Sequence, residues 1–116
     1  MNLKNLSNLK CEACNGKTPK LNSNEIINYL SKLNNWKVND EQEMIFKKFE
    51  FKSFKKALNF TNLVGDISEK EGHHPDISLG WGYCLIMIHT HAIKGLSKND
   101  FILASKIDTI LNKNAI

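Results

Sequence analysis

The stretch that most constrains the fold is SFKKALNFTNLVGDISEKEG, residues 53–72. Apolar and small residues recur in it at the 3.6-residue period of a helix, which predicts one long amphipathic helix. Ser53 is suited to cap its first turn, and Gly72 is the residue type that commonly ends a helix. The stripe that should face the core consists of Phe54, Ala57, Leu58, Thr61, Val64, Ile67 and Ser68.

Strand patterns lie on both sides of this helix. The segment WKVNDEQEMIFKKFEF, residues 36–51, predicts a hairpin that turns near Asn39 and Asp40. After the helix, DISLGW and YCLIMIHTH predict two further strands joined around residues 80–82. Pro75 cannot continue a helix and biases His74 toward extended backbone, so the third strand starts soon after Gly72.

Two more helices are predicted at the ends of this pattern. The first lies in LNSNEIINYLSKLNNW, residues 21–36, and should end at Asn34 and Asn35. Its apolar positions are Ile26, Ile27, Leu30 and Leu33. The last follows Ser97 and Asp100, which have capping-box spacing. The order α-β-β-α-β-β-α predicts an α+β two-layer domain, with three helices on one face of a four-stranded antiparallel sheet.

The chain has 116 residues, enough for one domain with one core. We expect residues 1–20, which are rich in Asn and Lys, to be a flexible lead-in, and residues 21–116 to be the domain. The net charge of +4 comes from scattered lysines, which gives no indication of a nucleic-acid partner. No signal peptide or apolar run of membrane-spanning length is present, so we expect a cytoplasmic protein without a membrane partner.

The cysteine pattern is weak evidence for a metal or redox site. Cys11 and Cys14 form a lone CxxC pair, and Cys84 is the third cysteine. A structural zinc site normally needs four ligands, and an odd cysteine count argues against a disulfide framework. We therefore interpret the three cysteines as inert thiols.

All four histidines fall within residues 71–91. His89 and His91 should share one face of a strand, and His73 and His74 directly follow a helix end, so the imidazoles can converge. Such a cluster suits acid–base catalysis near neutral pH, and it equally suits metal binding. Nearby carboxylates commonly orient histidines, although Glu69 could be a solvated charge and Asp100 only a helix cap.

At this point the residues resemble a known family. EKEGHHPDISLGW, followed by His91 and Asp100, is similar to the signature of the pterin-4a-carbinolamine dehydratases. All seven signature positions are met at the expected spacing, and the likeness extends over about residues 21–112. The seven positions are Glu69, His73, His74, Pro75, Trp81, His91 and Asp100.

The resemblance implies an α+β enzyme that removes water from 4a-hydroxytetrahydropterin and yields quinonoid dihydropterin for tetrahydropterin recycling. It implies no metal, no organic cofactor, and a homodimer or homotetramer; some relatives also bind a homeodomain transcription factor.

By the family's pattern, His73 and His91 would be the acid and base pair, and His74 would position the pterin. Glu69 would hold a histidine or contact the pterin amide edge. The remaining signature residues would line or support the site, namely Pro75, Trp81 and Asp100. His89 lies outside the signature and should be structural or exposed. The alternatives are a protein-interaction or dimerisation module and a metal-dependent hydrolase built on the histidine cluster.

Overall fold

The described part of the chain forms an α+β domain with one four-stranded antiparallel sheet and three α-helices. The structure is a computed structural model that describes residues 3–11 and 17–113. The elements in chain order are α1 (Ser23–Leu30), β1 (Lys37–Val38), β2 (Ile45–Glu50), α2 (Phe54–Glu71), β3 (Asp76–Gly80), β4 (Tyr83–Ile88) and α3 (Lys98–Lys113). Short 3-10 helices cover Leu3–Asn8 and His91–Ile93. The predicted fold class and element order are confirmed.

The sheet has the strand order β1-β2-β4-β3, so β4 lies at its centre beside β2. Alternate residues of β4 are buried because one face of the strand lies against the helices, and Ile88 and Cys84 pair with Ile45 and Phe49 of β2. The helices contribute the other half of the core, mainly through Phe60, Val64, Phe101, Leu103 and Ile107. Burial of this one face fixes the sheet register, since a slip by one residue would turn the apolar set outward.

The long helix α2 agrees closely with its sequence pattern. The Ser53 hydroxyl accepts a hydrogen bond from the Lys56 backbone N–H at 3.0 Å, and Gly72 ends the helix in the left-handed region with φ 66°. One expected core position is wrong: Phe54, in the first turn of the helix, is exposed.

Helix α1 is shorter than predicted. It ends at Leu30, and the chain then turns through i→i−3 hydrogen bonds, from Lys32 to Tyr29 and from Leu33 to Leu30. This early turn allows Trp36 to enter the core. The expectation that Ile27 belongs to the buried apolar face is also wrong, because Ile27 is 61% exposed.

The N-terminal segment packs on the domain where the structure describes it. Leu6 is fully buried, and the Lys106 ammonium donates to the Ser7 carbonyl at 2.9 Å. The Glu71 carboxylate accepts from the Cys11 backbone N–H at 2.9 Å. Burial alone would raise the pKa of Glu71, but this N–H and Lys106 hold it below its ordinary value. The domain boundary at residue 20 and the flexibility of the lead-in stay predictions.

The half-buried Cys11 thiol lies 3.6 Å from the Asn99 carbonyl oxygen, and Cys14 lies outside the described residues. The interpretation of the CxxC pair as inert thiols therefore stays a prediction. Within residues 3–11 and 17–113, no helix has both the length and the apolar character needed to cross a bilayer.

Candidate active site

The end of α2 places His73. The Gly72 and His73 backbone N–H groups both bond to the Ser68 carbonyl, a pattern that closes the last helical turn once a residue adopts left-handed backbone. Pro75 cannot continue a helix, and β3 begins at the next residue, Asp76. His73 lies at this corner and is only 6% exposed.

Asp100 joins this corner to the start of α3. Its fully buried carboxylate lies with Oδ1 2.6 Å from His73 Nε2. Its Oδ2 accepts from the Thr90 hydroxyl and from the Ser97 backbone N–H, both at 2.8 Å. The same carboxylate therefore caps α3 and holds the His73 ring, and its own orientation is fixed by two further donors.

Glu69 and His74 form a second carboxylate–imidazole contact at the surface. Glu69 lies in the last turn of α2, and its Oε2 contacts His74 Nε2. Both side chains are well exposed. Solvent screening makes such a pair weak in energy, so its effect is to orient the His74 ring rather than to stabilise the fold.

His89 and His91 lie just beyond the end of β4. Their ring centroids are 4.0 Å apart with planes tilted by 58°, and His89 Nε2 lies 3.2 Å from Asp76 Oδ2. The β3–β4 register pairs Asp76 with Met87, so Asp76 is the diagonal neighbour of His89 on the same side of the sheet. The sequence reasoning missed Asp76, because only the strand register brings it beside the histidines.

These side chains surround one hollow of about 330 Å³. Residues 72–76, from the α2–β3 corner, and residues 89–92, after β4, form its lining. All four histidines take part, and the size lies at the lower end of the range for small-molecule sites. A larger hollow of about 770 Å³ lies between the N-terminal segment and the start of α3, but its lining contains neither histidine nor carboxylate.

Three signature residues are outside this lining: Glu69 and Asp100 contact its histidines, whereas Trp81 stands apart. It lies in the turn between β3 and β4, where it is 72% exposed. The turn is at the opposite end of β3 from Asp76, and four steps along a strand separate the two ends by roughly 14 Å. Pro75, in contrast, belongs to the lining. A role for Trp81 in substrate binding stays a prediction.

The sequence matches a family model over most of its length. Residues 19–110 match the family described as pterin 4 alpha carbinolamine dehydratase. The chain is 47% identical over 107 residues to a protein of Alkaliphilus metalliredigens named "Putative pterin-4-alpha-carbinolamine dehydratase", covering 91% of this chain and 96% of that one. A protein of the same name from Methylococcus capsulatus is 42% identical over 101 residues, covering 87% and 89% of the two chains.

Two solved structures share the fold. The transcriptional coactivator/pterin dehydratase of Brucella melitensis superposes with a TM-score of 0.76 at 28% identity, covering 79% of this chain and 98% of that one. A pterin dehydratase-like protein described as a RuBisCO assembly factor in the alpha-carboxysome gives a TM-score of 0.60 at 24% identity, with 70% and 94% covered. The family match over most of the chain and the relatives above 40% identity lead to one conclusion: this chain belongs to the pterin-4a-carbinolamine dehydratase family.

Proposed function

We propose that the protein is a 4a-hydroxytetrahydropterin dehydratase that works by histidine acid–base catalysis in tetrahydropterin recycling. The observation that carries the proposal is the meeting of His73, His74 and His91 in one hollow, with His73 held by the buried Asp100. The family membership makes a pterin the expected guest of that hollow.

The reaction needs two proton transfers. The bond between C4a and its hydroxyl oxygen breaks, and an acid supplies the proton with which the hydroxyl leaves as water. A base removes the proton of the neighbouring ring nitrogen, and the freed electron pair forms the new carbon–nitrogen double bond. The enzyme donates one proton and accepts one, so it ends the reaction with as many protons as it had at the start, and the substrate loses one water in total. A well-placed acid or base contributes about 10²–10⁴-fold to such a step.

His73 and His91 are the proposed acid and base pair. His73 is suited to this because Asp100 fixes its ring and stabilises it when it carries a proton. His91 lines the same hollow and is exposed, so water can reach its ring. His74, held by Glu69, binds and positions the pterin, and Pro75 contributes to the wall of the same hollow.

A direct assay tests the proposal. An aromatic amino acid hydroxylase would generate the carbinolamine, and the ultraviolet absorbance would report its decay with and without the protein. We expect acceleration by the parent protein, and a loss of about 10²–10⁴-fold in His73→Ala and in His91→Ala. No acceleration by the folded parent protein would refute the proposed function.

Controls separate catalysis from folding. Circular dichroism and size-exclusion chromatography should show both histidine variants folded like the parent. Added imidazole should restore activity to His91→Ala better than to His73→Ala, because His91 is exposed whereas His73 is enclosed beside Asp100. A chelator should not lower the rate of the parent, while stoichiometric dependence on zinc would favour a metal-dependent hydrolase instead.

Self-association is the second part of the proposal. In the sheet of the described residues, β3 is an edge strand, and its Ile77 side chain and the following Trp81 are exposed. Sheet edges of this kind are normally paired or covered, which supports the predicted homodimer or homotetramer.

A further inference from the structure

Asp76, His89 and His91 form a cluster that the proposed dehydration uses only through His91. One potential ligand atom of each side chain lies within 4.8 Å of the other two. His73 and His74 stand apart from this cluster, because their Nε2 atoms face the carboxylates of Asp100 and Glu69. The cluster thus has three adjacent donors at the rim of the hollow.

The donor set has the chemistry of a transition-metal site. Two neutral imidazoles and one carboxylate bind Zn²⁺ and related divalent ions, usually with water at the remaining position. In a tetrahedral site with bonds of about 2.0–2.1 Å, two ligand atoms lie roughly 3.4 Å apart. Asp76 Oδ2 and His89 Nε2 are already 3.2 Å apart.

His91 can become the third ligand by rotation of its side chain alone. His91 is exposed, and among the described contacts its ring touches only the His89 ring. The Asp76 side chain is 62% exposed, so it too can rotate without disturbing the core. The β3–β4 register pairs Asp76 with Met87, two residues before His89, and so keeps Asp76 beside the segment that carries both histidines.

We propose that Asp76, His89 and His91 form a binding site for a divalent transition-metal ion, with Zn²⁺ as the test ion, and that the ion inhibits dehydration by occupying His91. The inhibitory part rests on the proposed function, whereas the metal site does not. An imidazole nitrogen bound to a metal has no lone pair left to accept a proton, so metal occupancy and acid–base work at His91 exclude each other.

The binding test uses untagged full-length protein in which Cys11 and Cys14 are serine, because those thiols could also bind zinc. Isothermal titration with Zn²⁺ should show one ion per chain, and Co²⁺ should give the visible absorption of a low-coordinate site. Both His89→Ala and Asp76→Asn should weaken binding at least about tenfold. The matched control is His74→Ala, which removes a histidine of the same hollow and should leave the metal affinity unchanged.

The outcomes separate the two proposals. No stoichiometric binding, or equal affinity in the parent and His89→Ala, would overturn the metal site. If the site binds zinc but dehydration by the parent continues at an unchanged rate, the inhibitory link to His91 is wrong. We expect His89→Ala to need more zinc than the parent to lose half of its own metal-free rate. A parent without any dehydratase activity would refute the proposed function and leave the metal-binding result intact.

Discussion

Replacement of Asp100 by asparagine should damage both stability and catalysis, and the structure indicates how much. The carboxylate is fully buried and serves three groups, namely the His73 ring, the Thr90 hydroxyl and the Ser97 backbone N–H. The amide has the same shape, so its oxygen can keep the Thr90 and Ser97 bonds. Its NH₂ group then faces His73 Nε2, where the carboxylate oxygen was. The ring must either lose that hydrogen bond or move its proton to the other nitrogen.

The size of the stability loss follows from the hydrogen bonds. Bonds to a charged group contribute about 1.5–3 kcal/mol each and neutral ones about 0.5–1.5 kcal/mol, so Asp100→Asn should lower the free energy of unfolding by about 1–3 kcal/mol. Asp100→Ala removes the acceptor that three buried donors share, at about 1–3 kcal/mol for each donor left unsatisfied, and should cost clearly more. For catalysis, the wrong His73 tautomer should reduce the dehydration rate by about 10²–10⁴-fold even where the protein stays folded.

Urea unfolding and the carbinolamine assay measure the two effects separately. The matched control is Asp108→Asn on the same helix. That carboxylate contacts Lys47 at 2.9 Å and Trp36 Nε1 at 3.0 Å, outside the hollow. Burial raises the pKa of Asp108, and the Lys47 ammonium partly opposes this. Asp108→Asn should therefore change stability modestly and leave the rate unchanged. A folded Asp100→Asn protein with the parent's rate, or an Asp100→Ala protein as stable as the parent, would refute the reasoning.

Two further predictions concern the core and the sheet edge. Burial raises the pKa of the Cys84 thiol above its ordinary value of 9.0, so with the other two cysteines changed to serine it should react with a thiol reagent only in urea. Rapid labelling of Cys84 in the folded protein would contradict this burial. Because the pKa of the thiol is higher in the folded state than in the unfolded state, the free energy of unfolding should fall as the pH rises above about 9. Light scattering should show that the parent is an oligomer and that Ile77→Lys dissociates it. The control Leu111→Lys, on α3, should leave the oligomer intact. A monomeric parent would contradict self-association, and dissociation by Leu111→Lys would move the contact to the helices.

Local signals predicted the parts of the fold that depend on neighbours in sequence. Ser53 and Gly72 mark the two ends of α2 because a cap needs only the first-turn N–H groups, and a left-handed residue needs only a missing Cβ. The burial of alternate residues in β4 similarly follows the two-residue period of a strand. The end of α1 could not be predicted from neighbouring residues. The chain turns early there, and Trp36 lies in the core and bonds to Asp108, which is 72 residues away in sequence.

The sequence by itself determined which side chains are available for chemistry: four histidines in one short window, and carboxylates at spacings that match a family signature. Only the tertiary structure decided which of them meet. Asp100 reaches His73 across 27 residues because α3 packs beside the end of α2, and Asp76 reaches His89 because of the β3–β4 register. The same packing leaves Trp81 at the far end of β3. Composition and periodicity describe one element at a time, whereas a site depends on distances between elements, which are set when their apolar faces are buried together.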